Sequence, residues 1–163
     1  MTRYEELPDT TRVWVYQSNK PFAENDLPEV KMHLDQFAKN WVSHNNSLRS
    51  YANVLHQRFV VLMVDESQAG ASGCSIDKSV NFLKALQEKY QVDLFDRMIF
   101  AYMDGQEVKT VDRETFSRLY AEGKINDTTL VFFFFLKNKA ELENFFVKCL
   151  GNSCHTRLVC LLF

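Results

Sequence analysis

Phe59-Val60-Val61-Leu62-Met63-Val64-Asp65-Glu66 is the stretch on which the fold turns, an unbroken apolar run that stops at two carboxylates. It reads as a strand, and a loop of small residues follows, Gly70-Ala71-Ser72-Gly73-Cys74, opening a helix through Ser75, Ile76 and Asp77. Here a thiol, hydroxyls, carboxylates and glycines crowd against a rigid strand end, the kind of position that carries function.

Working outward toward the N-terminus, only His56, Gln57 and Arg58 separate this strand from Leu48–Leu55. That run fits a helical turn and a strand almost equally, and the tight connection decides for a hairpin. Before it, Val30, Leu34, Phe37, Ala38 and Trp41 recur at three- and four-residue spacing, predicting a helix capped by Asp26 and running to about His44. Arg12–Gln17 is dense in β-branched and aromatic residues and closes on turn formers, which predicts the first strand. Residues 1–11 are polar, contain Pro8 and read as an irregular arm.

Toward the C-terminus, Ile76, Val80, Leu83, Leu86 and Tyr90 give the second helix its apolar stripe. Arg97–Met103 is a further strand, and Asp104-Gly105 predicts a type I′ hairpin returning through Gln106–Val111. Asp112 caps a short helix that Gly123 ends. Thr128–Leu136 contains Phe132 to Phe135, four successive phenylalanines that predict an interior strand covered on both faces, or an interface. A last helix with Leu142, Phe145, Phe146 and Cys149 stops at Gly151, and Arg157–Phe163 predicts a terminal strand.

The expected architecture is therefore one α+β or α/β domain over residues 1–163, with four helices and one mixed, mostly antiparallel sheet of six or seven strands. The first six elements follow the order of a ferredoxin-like β-α-β-β-α-β unit. In that arrangement Arg12, His44, Asp65 and Cys74 gather at one edge of the sheet.

Composition narrows the function classes. Charged residues make up 25% and the net charge is −2, which offers no basic footprint for nucleic acid. The longest apolar run, Leu130–Leu136, is far short of a membrane span, and the polar N-terminus lacks a signal-peptide pattern, so a cytoplasmic location is expected. The four cysteines, Cys74, Cys149, Cys154 and Cys160, read as reduced thiols. Cys149, Cys154 and His155 have no second ligand pair at zinc-site spacing, and no metal or other cofactor is expected.

The candidate catalytic residues are Cys74, Asp65 and Glu66. A thiol at a helix N-terminus faces free N–H groups and the positive end of the dipole, which favours thiolate, while the neighbouring carboxylates oppose it. Gly70, Ser72, Gly73, Ser75 and Asp77 are the candidate binding residues, since loop N–H groups can cradle a phosphate or carboxylate. Gly-x-x-x-x-Gly-Lys-Ser/Thr does not occur, which excludes a phosphate loop, and Gly70-Ala71-Ser72-Gly73 lacks the spacing of a nucleophile elbow. The expected partner is a small anion or small molecule at residues 65–77. The competing class is an interaction module, a homodimer for example, built on exposed aromatics.

At Trp14-Val15-Tyr16-Gln17-Ser18-Asn19, Val64-Asp65-Glu66-Ser67, Gly70-Ala71-Ser72-Gly73-Cys74-Ser75-Ile76-Asp77-Lys78-Ser79-Val80 and Asp93-Leu94-Phe95-Asp96-Arg97, the chain resembles a family of short uncharacterised proteins from Bacteroidetes-type bacteria. Members of that family carry the label "ABC transporter ATPase". The resemblance covers most of residues 12–103 and implies kinship, while the residues here include neither a Walker lysine loop nor a transporter signature motif.

Overall fold

Every residue of Phe59–Asp65 is buried, and the two faces of this strand seed two separate cores. A computed structural model describes residues 2–152, and its strands are β1 (Arg12–Gln17), β2 (Val42–Ser43), β3 (Asn46–Ser47), β4 (Arg49–Leu55), β5 (Phe59–Asp65), β6 (Ile99–Asp104), β7 (Glu107–Asp112), β8 (Leu130–Phe132) and β9 (Val147–Cys149). The helices are α1 (Leu27–Asn40), α2 (Gly73–Tyr90), α3 (Arg113–Ala121) and α4 (Lys139–Phe145). Together they form a single mixed α+β domain. Its strands fall into three antiparallel sheets rather than one, ordered β1-β5-β4, β2-β3 and β7-β6-β8-β9.

Alternation along β5 explains the layering. Val60, Leu62 and Val64 face α1 and α2, packing with Val30, Leu34, Trp41, Leu83 and Leu86. Phe59, Val61 and Met63 face the other way, onto Phe132, Leu136, Leu142 and Phe146. Full burial of such a side chain stabilises by about 1.5–3 kcal/mol, so the strand contributes to both cores at once. Against α1, the Phe37 ring stacks on Phe82 at 4.4 Å between centroids, tying the two helices together. On α2 the fully buried positions are Ser75, Ser79, Leu83 and Leu86, with Ile76, Val80 and Tyr90 only partly covered.

Several expectations are corrected. The order β1-β5-β4 is that of the first three strands of a ferredoxin-like sheet, but the fourth strand, β6, joins β7 and β8 instead of β1. The outer edge of β1 is met by Lys137 and Asn138, Val13 N donating to Lys137 O at 3.1 Å. Helix α1 ends at Asn40 rather than His44, and His44-Asn45, both at positive φ, turn a two-residue hairpin between β2 and β3. Asp26 makes no capping hydrogen bond. In the β6–β7 hairpin the ladder closes on Asp104 and Glu107, so Gly105 and Gln106 are the central residues. Of these only Gly105 has positive φ, the pattern of a type II′ turn rather than the expected I′.

The phenylalanine run departs furthest. Only Leu130–Phe132 is strand, and burial decays along the run from Phe132 at 1% exposure to Phe135 at 53%. The chain leaves the β8 ladder after Phe132 to cross toward β1, so the later rings lose a covering layer. Helix α4 is shorter than expected, and Cys149 lies in β9, paired with Leu130. The predicted strand at 157–163, with Cys154, His155 and Cys160, lies outside the described residues.

The arm before β1 is docked rather than loose. It forms a 3₁₀ turn over Tyr4–Glu6 and buries Leu7, whose carbonyl accepts Lys139 Nζ at 2.9 Å.

These burial values separate two neighbouring phenylalanines. Phe132→Ala should cost about 3–5 kcal/mol by urea unfolding, whereas Phe135→Ala should stay within about 0.5 kcal/mol of the parent; equal losses would restore the two-sided strand.

Candidate functional site

The segment after β5 is a closely bonded corner. Asp65 is buried at 3% exposure, and its carboxylate accepts Ser67 N at 3.0 Å and Arg49 Nη1 at 2.9 Å. Arg49 also donates to Glu6 O, so the strand end, β4 and the arm are joined at one point. Glu66 Oε1 accepts Ala71 N at 3.0 Å and Arg12 Nη1 at 3.3 Å, which folds the loop back on the carboxylate. The Arg12 guanidinium in turn lies 4.6 Å from the Trp14 ring centre.

Ser72 caps α2, its hydroxyl accepting Ser75 N at 3.2 Å, while Ser72 N donates to Ser43 Oγ. Ser75 is buried, its hydroxyl turned back to Ser72 O and its carbonyl accepting Trp41 Nε1 at 2.8 Å. Gly70 and Gly73 do not adopt positive φ, so these glycines do not form the alternating nest that wraps an anion. Since α2 begins at Gly73, Asp77 stands in its second turn, exposed, and not in the first turn as the sequence reading placed it. Cys74 is exposed, and among the described residues no hydrogen bond joins it to a base. The Ser43–Ser72 contact sets the His44 hairpin beside this loop, so Arg12, Asp65, the hairpin and the loop share one end of the first sheet. No group of three or more His, Cys, Asp or Glu side chains suited to a metal occurs among the described residues.

A second constellation escaped the sequence reading. On the face of the first sheet opposite α1 and α2, a cavity of about 310 Å³ opens between the arm, β4, β5 and α4. Leu55, Val61, Leu142 and Phe146 give it an apolar floor, and Tyr4, Glu5, Tyr51, Asn53 and Glu143 supply its polar groups. The Tyr4 and Tyr51 rings lie 5.6 Å apart. Tyr4 donates to Glu143 Oε1 at 2.9 Å, and Asn53 Nδ2 donates to the Tyr51 hydroxyl at 3.0 Å. Burial pushes both phenols up from their ordinary value, and nearby carboxylates add to it, Glu143 at Tyr4 and Glu5 at Tyr51. The period-two run Tyr51, Asn53, Leu55 was a usable signal for one wall. Tyr4 and Leu142 come from distant segments that only the tertiary fold brings together.

A smaller cavity of about 150 Å³ lies along β1, between Leu94–Arg97 and Phe134–Leu136. Gln17 lines it, and its buried Oε1 has no hydrogen-bond partner among the described residues while its Nε2 donates to Ile99 O.

No family model, curated protein or solved structure matches this chain. Among the described residues no helix is long and apolar enough to cross a membrane.

Asp65 gives the corner a pH signature. Burial alone would raise its carboxyl, but the Ser67 N–H and hydroxyl and the Arg49 guanidinium outweigh it and hold the carboxyl below its ordinary value. A carboxyl lowered in the folded state contributes stability above its unfolded value, near 3.9, and loses it as pH falls through the folded value. Asp65→Asn should therefore cost about 1.5–3 kcal/mol at neutral pH, with the difference from the parent shrinking below about pH 4. Denaturant curves across pH check this, and a difference that persists unchanged into acid would contradict it.

Proposed function

We propose that this chain is a binding domain for a small organic molecule, seated in the cavity between the arm, β4, β5 and α4. The observation that carries this reading is the combination of an apolar floor, Leu55, Val61, Leu142 and Phe146, with convergent polar groups from Tyr4, Tyr51, Asn53, Glu5 and Glu143 in about 310 Å³. Pockets that hold small ligands have this make-up and begin near this size. Larger hollows exist, such as the one of about 450 Å³ among Pro21, His56, Arg58 and Glu107, but that one is walled by hairpin tips and lacks an apolar floor.

An anion or thiol site at residues 65–77 draws less support. Asp65 and Glu66 are each engaged with an arginine and with loop amides, so a base there would have to break the corner that shapes it. Self-association rests on the exposed Met98 and Phe135, the latter with the Arg97 guanidinium 5.8 Å from its ring centre.

Amide shift mapping by NMR against a library of small aromatic and aliphatic fragments tests the reading. The expected outcome is a cluster of shifts at Tyr51, Asn53, Leu142 and Phe146, abolished when Leu142→Trp fills the floor. Shifts confined to Ser72–Asp77, or none at millimolar fragment, would overturn it.

A further inference from the structure

The cavity also carries a charge preference, and reading it rests on the binding-domain proposal above. Among the described residues no lysine, arginine or histidine lines it, whereas two carboxylates do. Glu5 is exposed and its carboxylate has no hydrogen-bond partner among the described residues. Glu143 uses one oxygen for the Tyr4 hydroxyl, and the same Oε1 lies 3.8 Å from Lys139 Nζ, so Oε2 has no partner among the described residues. Both phenols sense this negative field, the charges of Glu143 and Asp9 acting on Tyr4 and those of Glu5 and Asp35 on Tyr51.

One cation has already settled beside the cavity. Lys139 is buried at 7% exposure, and its ammonium stands 4.6 Å from the centre of the Tyr4 ring, within the range of a cation–π contact. It donates to Leu7 O and is tied to the arm, so it serves the fold and does not line the hollow. The same aromatic and acidic surroundings continue past it to the Tyr51 ring, which has no cation–π partner among the described residues.

We propose that this cavity selects an organic cation, an amine or quaternary ammonium on an apolar body of roughly phenylpropyl size. The body lies on Val61, Leu142 and Phe146, and the cationic head sits at the mouth between the Tyr51 ring and the Glu5 and Glu143 carboxylates. A carboxylate in the same position would face two like charges, and a neutral head would forfeit both the ion pair and the cation–π contact. Discrimination thus comes from repulsion as much as from attraction.

Calorimetric titration of the intact chain at low salt, with 3-phenylpropylamine, 3-phenylpropanol and 3-phenylpropionate, separates the possibilities. The amine should bind about tenfold more tightly than the alcohol, corresponding to about 1.4 kcal/mol, and the acid should give no measurable binding. Glu5→Lys lies on the exposed rim, outside the core, and should erase the advantage of the amine over the alcohol. Glu143→Gln should weaken the amine further, with thermal unfolding used to confirm that both variants fold. Equal affinity for amine and alcohol, or an amine unaffected by Glu5→Lys, would overturn the cation preference while the cavity reading stands. Absence of heat with all three, together with unmoved Tyr51 and Asn53 amides, would overturn both.

Discussion

Strand β5 is buried on both of its faces, and the layers around it are arranged to cover them. A strand with Phe59, Val61 and Met63 on one face and Val60, Leu62 and Val64 on the other must be covered by two independent layers. Helices α1 and α2 supply the first. The second is assembled from pieces distant in sequence, namely Leu7 of the arm, Phe132 and Leu136 of the crossing segment, and Leu142 and Phe146 at α4. A layer built from short pieces closes less completely than a pair of long helices, and the cavity lies where the arm and α4 meet β4.

The same reasoning separates the joint from the cavity. At the end of β5 the chain must reverse out of the sheet into α2, and its polar groups are consumed in doing so: Asp65 by Ser67 and Arg49, Glu66 by Ala71 and Arg12, Ser72 by Ser75. A strand end rich in carboxylates and glycines resembles a site in sequence because the chemistry that closes a tight corner uses the residue types that chemistry on a substrate uses. At the Tyr51 cavity the polar groups bond to one another, Tyr4 to Glu143 and Asn53 to Tyr51, and the Glu5 carboxylate has no hydrogen-bond partner among the described residues.

Local pattern made much of the first half of the fold legible. Arg12–Gln17 as a strand, the Val30–Trp41 stripe as a helix, the ambiguous Leu48–Leu55 run as a strand and a hairpin at Asp104-Gly105 all follow from period or turn chemistry, and each element is present, as Arg12–Gln17, Leu27–Asn40, Arg49–Leu55 and the β6–β7 pair. Pairing beyond neighbours was not legible. Nothing local in Ile99–Asp104 says that it pairs with Val131 rather than with β1, because strand order is fixed by which layers need covering. The phenylalanine run misled for a related reason: four rings announce apolar surface but not where the chain turns out of the ladder, and it turns after Phe132. Of the site, the Tyr51-Asn53-Leu55 wall was readable from alternation, whereas Tyr4 and Glu143, joined across the whole chain by one hydrogen bond, were not.

On the proposed reading a ligand seats in the incomplete layer over β5 and not at the corner where that strand ends. A crystal structure grown with 3-phenylpropylamine decides between the two places. Density for the phenyl ring is expected against Val61, Leu142 and Phe146, with the nitrogen at the Tyr51 ring and the Glu5 and Glu143 carboxylates. Density for the amine only at the α2 N-terminus beside Cys74, or a cavity filled by protein side chains, would contradict it.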